Sequence, residues 1–397
     1  MFAQNRSVSW LTLVTLACLV ATTNRESVFA QDVSLSSAII AIKNVGLNAD
    51  GYPAATAAAN QLASQPSSNA AGILAAMRDA TPLAKNWLRI VAADVGDNGT
   101  FPKESLLAFF RDRTHDNDAR HAAYQMLIAS DPLIKPTLLV TAVDDPSLPI
   151  RHQAIAALLD QAKQEKEAGN NDAAKSLYAA VIASGRNPDQ LQGAIKAMDD
   201  LGEKIDLAVE LGLIRKWWVI GTFDNTDSAE FATIYPPESV CVQTNQLPGD
   251  WLKAGAIVPD NEGSDKSATT HFVTSEDSFG VVDINPTLEK AKDVIAYCYV
   301  KLEIPEAIDA VARLGCITAS KVWVNGDEVM ANEVYHSGSR IDQYEGDCQL
   351  KSGTNTVLLK ICQNAQTEPW AQDWQFQFRF TDRFGAAIKP TQTIQPQ

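Results

Sequence analysis

The stretch SKVWVNGDEVM, residues 320–330, decides how the second half of the chain reads. Val322 and Val324 alternate with Trp323, and Asn325-Gly326 follows. Asn-Gly supplies the two left-handed residues of a type I′ turn, and between alternating apolar residues it is a strong hairpin signal. The segments around it obey the same period of two. Trp217 to Phe223 is aromatic and β-branched and ends at Asp224-Asn225, a turn pair. Pro236-Pro237 then excludes a central strand. VIAYCYVKLEI (294–304), TNTVLLKICQ (354–363) and WQFQFRFTD (374–382) read as further strands. In the last, Phe376, Phe378 and Phe380 face one way, and Gln375, Gln377 and Arg379 the other. Several short strands with turns between them predict an antiparallel β-sandwich over 215–390, with a flexible tail at 391–397.

The first half has a different period. Residues 35–214 are rich in Ala and Leu and poor in aromatics. NDARHAAYQML starts at Asn117 and SLPIRHQAIAALL at Ser147. Arg120 and Arg151 are 31 residues apart, and in both segments Arg-His opens an Ala-rich amphipathic helix. Each helix follows an Asp-containing turn, with Asp116 and Asp118 before one and Asp144, Asp145 and Pro146 before the other. A period in this range marks stacked helical repeats, in which each helix pair needs a neighbour to bury its face. PLAKNWLRIVAADV and KESLLAFFRDR fit two more such helices. AGNNDAAKSLYAAVIASG and PDQLQGAIKAMDDLG form a later pair of another kind. The predicted helical domain is 31–214.

Composition narrows the functional classes. The chain has 397 residues and a net charge of −15. That balance argues against a nucleic-acid backbone or an anionic membrane as partner, since both need clustered cations. The N-terminus reads as an export signal over 1–30: Arg6, an apolar run, then Val28-Phe29-Ala30 before the cut. An uncleaved anchor is the other reading, but the run is short against the ~20 residues of a spanning helix. No later segment is apolar enough to span. The expected location is periplasmic or extracellular. Cys241, Cys298, Cys316, Cys348 and Cys362 all lie in the second half, an odd number without C-x-x-C spacing. They are either buried thiols or include one or two bridges.

Catalytic motifs are absent. His115, His121, His152, His271 and His336 form no H-E-x-x-H, and there is no nucleophile elbow, P-loop or G-x-G-x-x-G. His121 and His152 read as structural residues of the repeat. DNEGSD (260–265) and RIDQYEGD (340–347) cluster oxygen ligands, so Asp342 and Asp347 are candidates for a structural Ca²⁺, the alternative being solvated acidic loops. No other cofactor is expected. EPWAQDWQF places Trp370 and Trp374 before the last strand. Their indoles either stack on a ligand such as a sugar or close the end of the core. Trp323 reads as core. Of Trp217 and Trp218, one is expected to point inward and the other toward the helical domain.

Resemblances to known families follow from these motifs. The Arg120 and Arg151 segments resemble short bacterial HEAT repeats, which implies that each Arg ties neighbouring repeats together, and the 170–200 pair is similar to a tetratricopeptide repeat. WWVIGTFDN with YPPE, then ASKVWVNGDEV, LKSGTNTVLLKICQ and WQFQFRFTDRFG, resembles a galactose-binding-like jelly roll. The whole order resembles exported proteins of planctomycete-type bacteria. The resemblance implies a multidomain α plus β chain: a HEAT-like solenoid, then a jelly-roll sandwich. It further implies a non-catalytic envelope protein that binds a glycan or another envelope protein. The alternatives are an accessory carbohydrate-processing enzyme and a purely structural component.

Overall fold

The computed structural model describes residues 35–260 and 266–393 and has an α plus β architecture, with helices first and antiparallel sheets after them. Residues 1–34, on which the expected export signal falls, residues 261–265 of the DNEGSD stretch, and residues 394–397 lie outside the described residues. No described helix is long and apolar enough to cross a membrane. The described residues divide into two compact units, with the boundary between Ala154 and Ile155.

In the first unit the helices are α1 (35–43), α2 (Tyr52–Leu62), α3 (Ala70–Ala75), α4 (Pro82–Gly96), α5 (Lys103–Arg111), α6 (Asn117–Ser130) and α7 (Lys135–Leu139), and α8 (Leu148–Glu167) begins there. Local chemistry sets their starts. Thr81 accepts a hydrogen bond from Ala84 N, with Pro82 in the first turn of α4. Asp116 accepts from Asp118 N and Ala119 N at the start of α6. Such caps satisfy amides that have no partner within the helix. Leu88, Val91, Leu106, Phe110, Tyr124 and Leu127 form the core, with small Ala119, Ala122 and Ala123 letting helices approach closely.

Polar ties then recur at close to the 31-residue spacing read from the sequence. Lys85 reaches Asp116 at 2.8 Å, 31 residues on. Lys103 reaches Asp131 at 2.9 Å, 28 residues on. Arg113 reaches Asp144 at 2.8 Å, again 31 residues on. Asn117 donates to Pro146 O at 3.2 Å, 29 residues on. The strongest tie is buried. Arg120, 1% exposed, makes a two-pronged pair with Asp145 at 2.8 and 2.7 Å, and its Nε donates to Phe110 O. Arg151 closes the same Asp turn, donating to Asp145 O at 2.7 Å and Asp144 O at 2.5 Å.

The second unit holds the rest of α8, α9 (Asn171–Ser184), α10 (Pro188–Asp200) and α11 (Leu207–Leu211) together with the sheets. The sequence reading ended the helical domain at 214, whereas these helices group with the strands. Long-range contacts account for this: Ile214 N donates to Phe378 O at 2.9 Å, and Arg379 Nη1 donates to Leu211 O at 3.1 Å.

The strands are β1 (Lys216–Asp224), β2 (Ile257–Pro259), β3 (Ser267–Thr274), β4 (Val282–Asp283), β5 (Val294–Ile304), β6 (Ile308–Cys316), β7 (Ser320–Val324), β8 (Asp327–Asn332), β9 (Tyr344–Leu350), β10 (Gly353–Gln363), β11 (Gln375–Asp382), β12 (Ala387–Ile388) and β13 (Thr391–Gln392). One sheet runs β2-β3-β1-β5-β10-β7-β8, with β13 beside β5; the other runs β12-β11-β6-β9, with β4 on β11. The opening hairpin is there: Val322 pairs with Met330, and Asn325 and Gly326 have φ of 54° and 84°. Pro236-Pro237 starts a helix, α12 (Pro236–Thr244). Trp217 joins the sheets, its ring 5.2 Å from Phe376 and 5.8 Å from Phe378, edge to face. Trp218 lies on the opposite face beside Phe272. That face carries Tyr297 and Tyr299, which bond Glu238 of α12 and Leu247 N, so the α12 segment covers it. All five described cysteines are free, four of them buried. Burial pushes the Cys316 thiol to about 11 and those of Cys241 and Cys362 to about 12, leaving them inert at neutral pH.

Candidate functional site

One end of the two-sheet unit is built from the loops that follow β1, β8 and β10 and precede β5. Their side chains tie them together. Asn225, fully buried, donates to Tyr335 Oη at 3.2 Å and to Gln363 O at 3.1 Å. Asn285 donates to Gln372 O at 3.0 Å, and Lys292 Nζ to Ala371 O at 2.8 Å. Ser337 N donates to Ile317 O at 3.2 Å. His336 Nε2 meets Asn364 Oδ1 at 3.0 Å, and the Asn364 amide donates to Gln366.

On these tied loops stands Trp370, in the turn Pro369–Ala371. It is 58% exposed, and its ring meets that of His336 edge-on, centroids 5.2 Å apart. Leaving a large apolar side chain in water forgoes about 1.5–3 kcal/mol of burial. An exposed indole held in one orientation, flanked by amide and imidazole groups, is a platform for stacking: it presents an apolar face and needs little further ordering when a ligand arrives.

Trp374 is different, and the reading of it as a second ligand contact is corrected. It is 0% exposed and belongs to the core with Phe376 and Phe378. Its carbonyl accepts from Ile284 N, so it stands in register with β11. Residues 374, 376 and 378 share one face of an extended chain, and that face points inward.

Asp342 is likewise not free to bind calcium. Arg379, 2% exposed, grips both its carboxylate oxygens at 2.8 and 2.5 Å. Asp347 is exposed on β9. No group of three or more His, Cys, Asp or Glu side chains suited to a metal ion occurs among the described residues.

Sequence reasoning missed a buried charged cluster. Lys360 is 0% exposed, and its Nζ donates to Phe231 O at 2.8 Å, Thr233 O at 2.6 Å and Glu230 O at 3.2 Å. Glu238 lies 3.6 Å away and accepts from Tyr297 Oη at 2.9 Å. Burial lowers the Lys360 pKa and raises that of Glu238, each group partly offsetting the effect on the other. With no exposed surface on the lysine, the cluster fastens the segment 230–238 to β10 and offers no reacting group to a substrate. The signal was in the sequence: a lone Lys in the apolar run VLLKIC.

No protein-family model matches the chain, and no curated protein sequence matches it. Among solved structures, a β-glucosidase from Kluyveromyces marxianus is similar at 11% identity over 74% of this chain, with a TM-score of 0.24. The chain spans 38% of that enzyme's length. A likeness of that size carries no argument about fold or activity.

Proposed function

We propose that the chain is a non-catalytic, exported binding protein of the cell envelope. In this reading a HEAT-like helical scaffold precedes a galactose-binding-like jelly roll, and the Trp370 end of the jelly roll takes a glycan. The single observation that carries it is Trp370, exposed and fixed against His336 on loops tied by Asn225, Asn285 and Lys292. The side chains on these loops include the amides of Asn225, Asn285 and Asn364, the Tyr335 hydroxyl and the His336 imidazole, which suit sugar hydroxyls as donors and acceptors. The ties along the helices support a rigid scaffold, because each repeat is fastened to the next.

The test is titration of the chain with a panel of envelope polysaccharides, repeated on Trp370→Ala. Loss of a stacking contact should weaken binding by about 1–2 kcal/mol, roughly tenfold, while leaving the melting temperature in place because the side chain is exposed. No saturable binding by the wild type, or equal binding by the variant, would remove the glycan from this reading.

A further inference from the structure

At the end of β1 away from Trp370 lies a cleft of about 250 Å³, formed where α11, the start of β1, the end of β3 and β13 meet. Its lining includes the apolar side chains of Val209, Leu213 and Ile214. Val209 stays 48% exposed there. The lining also includes three basic residues, Arg215, Lys216 and Lys389, in a chain whose net charge is −15. Two are held from behind: Arg215 by Asp206 at 3.1 Å and Lys389 by Glu210 at 3.0 Å. Lys216 is exposed and has no ion pair among the described residues, so of the three it is the cation left open to a ligand. Glu276 is the one acidic residue of the lining.

The walls are fixed. Gln392 Nε2 donates to Lys216 O at 2.9 Å, joining β13 to β1. A Cβ on Gly212, whose φ is 69°, would meet Ile388 O at 2.8 Å, so the backbone after α11 packs directly on β12. A preformed cleft lined by apolar side chains and a few polar groups is the usual form of a small-molecule site.

We propose that this cleft is a second ligand site, taking a small monocarboxylate with an apolar body. The apolar lining buries the body, Lys216 and the anchored Arg215 and Lys389 receive the carboxylate, and Glu276 disfavours a second negative charge. The volume suits about one ring, being below the roughly 300–1,000 Å³ of larger ligand pockets. The proposal does not depend on the Trp370 reading.

Benzoate and its neutral isostere benzamide are the probes, titrated into the whole chain by ligand-observed NMR. Benzoate should bind saturably, and benzamide should bind more weakly by up to about fivefold, the size of a partly exposed charge contact. Lys216→Gln should weaken benzoate about fivefold, leave benzamide unchanged and leave the melting temperature unchanged. Added salt should weaken benzoate only. Trp370→Ala should bind benzoate as the wild type does. Equal affinity for the two probes, no saturable binding of benzoate, or insensitivity to both Lys216→Gln and Lys389→Gln would overturn the proposal.

Discussion

Arg120→Met is expected to be among the most destabilising single changes in the helical unit. The guanidinium is 1% exposed and Asp145 2% exposed, and the pair is two-pronged at 2.8 and 2.7 Å. Methionine fills much of the same volume, so the loss is electrostatic rather than a cavity. It leaves the Asp145 carboxylate buried with one remaining donor, Ser147 N at 2.8 Å, and leaves Phe110 O without Arg120 Nε. Breaking a buried pair by removing one partner costs about 3–5 kcal/mol, because an uncompensated charge stays behind. Asp145→Asn alone should cost a similar amount by stranding Arg120. The double variant Arg120→Met/Asp145→Asn should cost less than the sum by about 2 kcal/mol or more, since no buried charge is left. Lys163→Ala is the contrast: its contact with Glu167 is 3.8 Å long and both side chains are about two-thirds exposed, so the change should stay within about 0.5 kcal/mol. Urea unfolding followed by far-ultraviolet circular dichroism measures all four. A cost below about 1 kcal/mol for Arg120→Met, or strict additivity in the cycle, would refute the view that this pair fastens α6 to the turn before α8.

Two further outcomes follow from burial and charge. Trp374→Ala should lower stability by about 3–5 kcal/mol, as for a large aromatic removed from a core, and thermal melting checks it; a shift no larger than that of Trp370→Ala would contradict its placement. Acid should weaken the helical unit: hydrogen bonds from Lys103 and Arg113 hold the pKa values of Asp131 and Asp144 below 3.8, so the stability these carboxylates give is full above that value and lost as pH falls through their folded pKa values. The helical melting temperature, followed from about pH 5 to pH 2.5, should fall more steeply in the wild type than in Lys103→Gln/Arg113→Gln, and equal slopes would argue against the ties.

Legibility in the sequence tracked how local each cause was. Asn325-Gly326 sets a turn by its own backbone preferences, so the hairpin was readable at once. Arg120 and Arg151 were singled out by their spacing, and both meet the Asp144-Asp145 turn, Arg120 through the Asp145 carboxylate and Arg151 through two carbonyls. The grouping of α9–α11 with the sheets was not readable: it depends on Ile214 and Leu211 meeting β11, more than 160 residues away in sequence. The occupation of Asp342 by Arg379 needed both a loop and a sheet register, 37 residues apart. Of the two readings left open for Trp374, the core one was decidable from the period of two. Extending the Phe376–Phe378 face back by one step places it inward. Trp370 was legible as an aromatic in a Pro-containing loop, but its fixed exposure rests on His336, which only the fold brings near.

The claim that the Trp370 end is the ligand face is tested most directly by hydroxyl-radical oxidation read out by mass spectrometry, with and without a polysaccharide that binds. In the free chain Trp370 should oxidise readily and Trp374 should not, following their exposures of 58% and 0%. With saturating ligand, Trp370 should be protected and Trp374 unchanged. Oxidation of Trp370 that is as fast in the complex as in the free chain, or ready oxidation of Trp374, would contradict the claim.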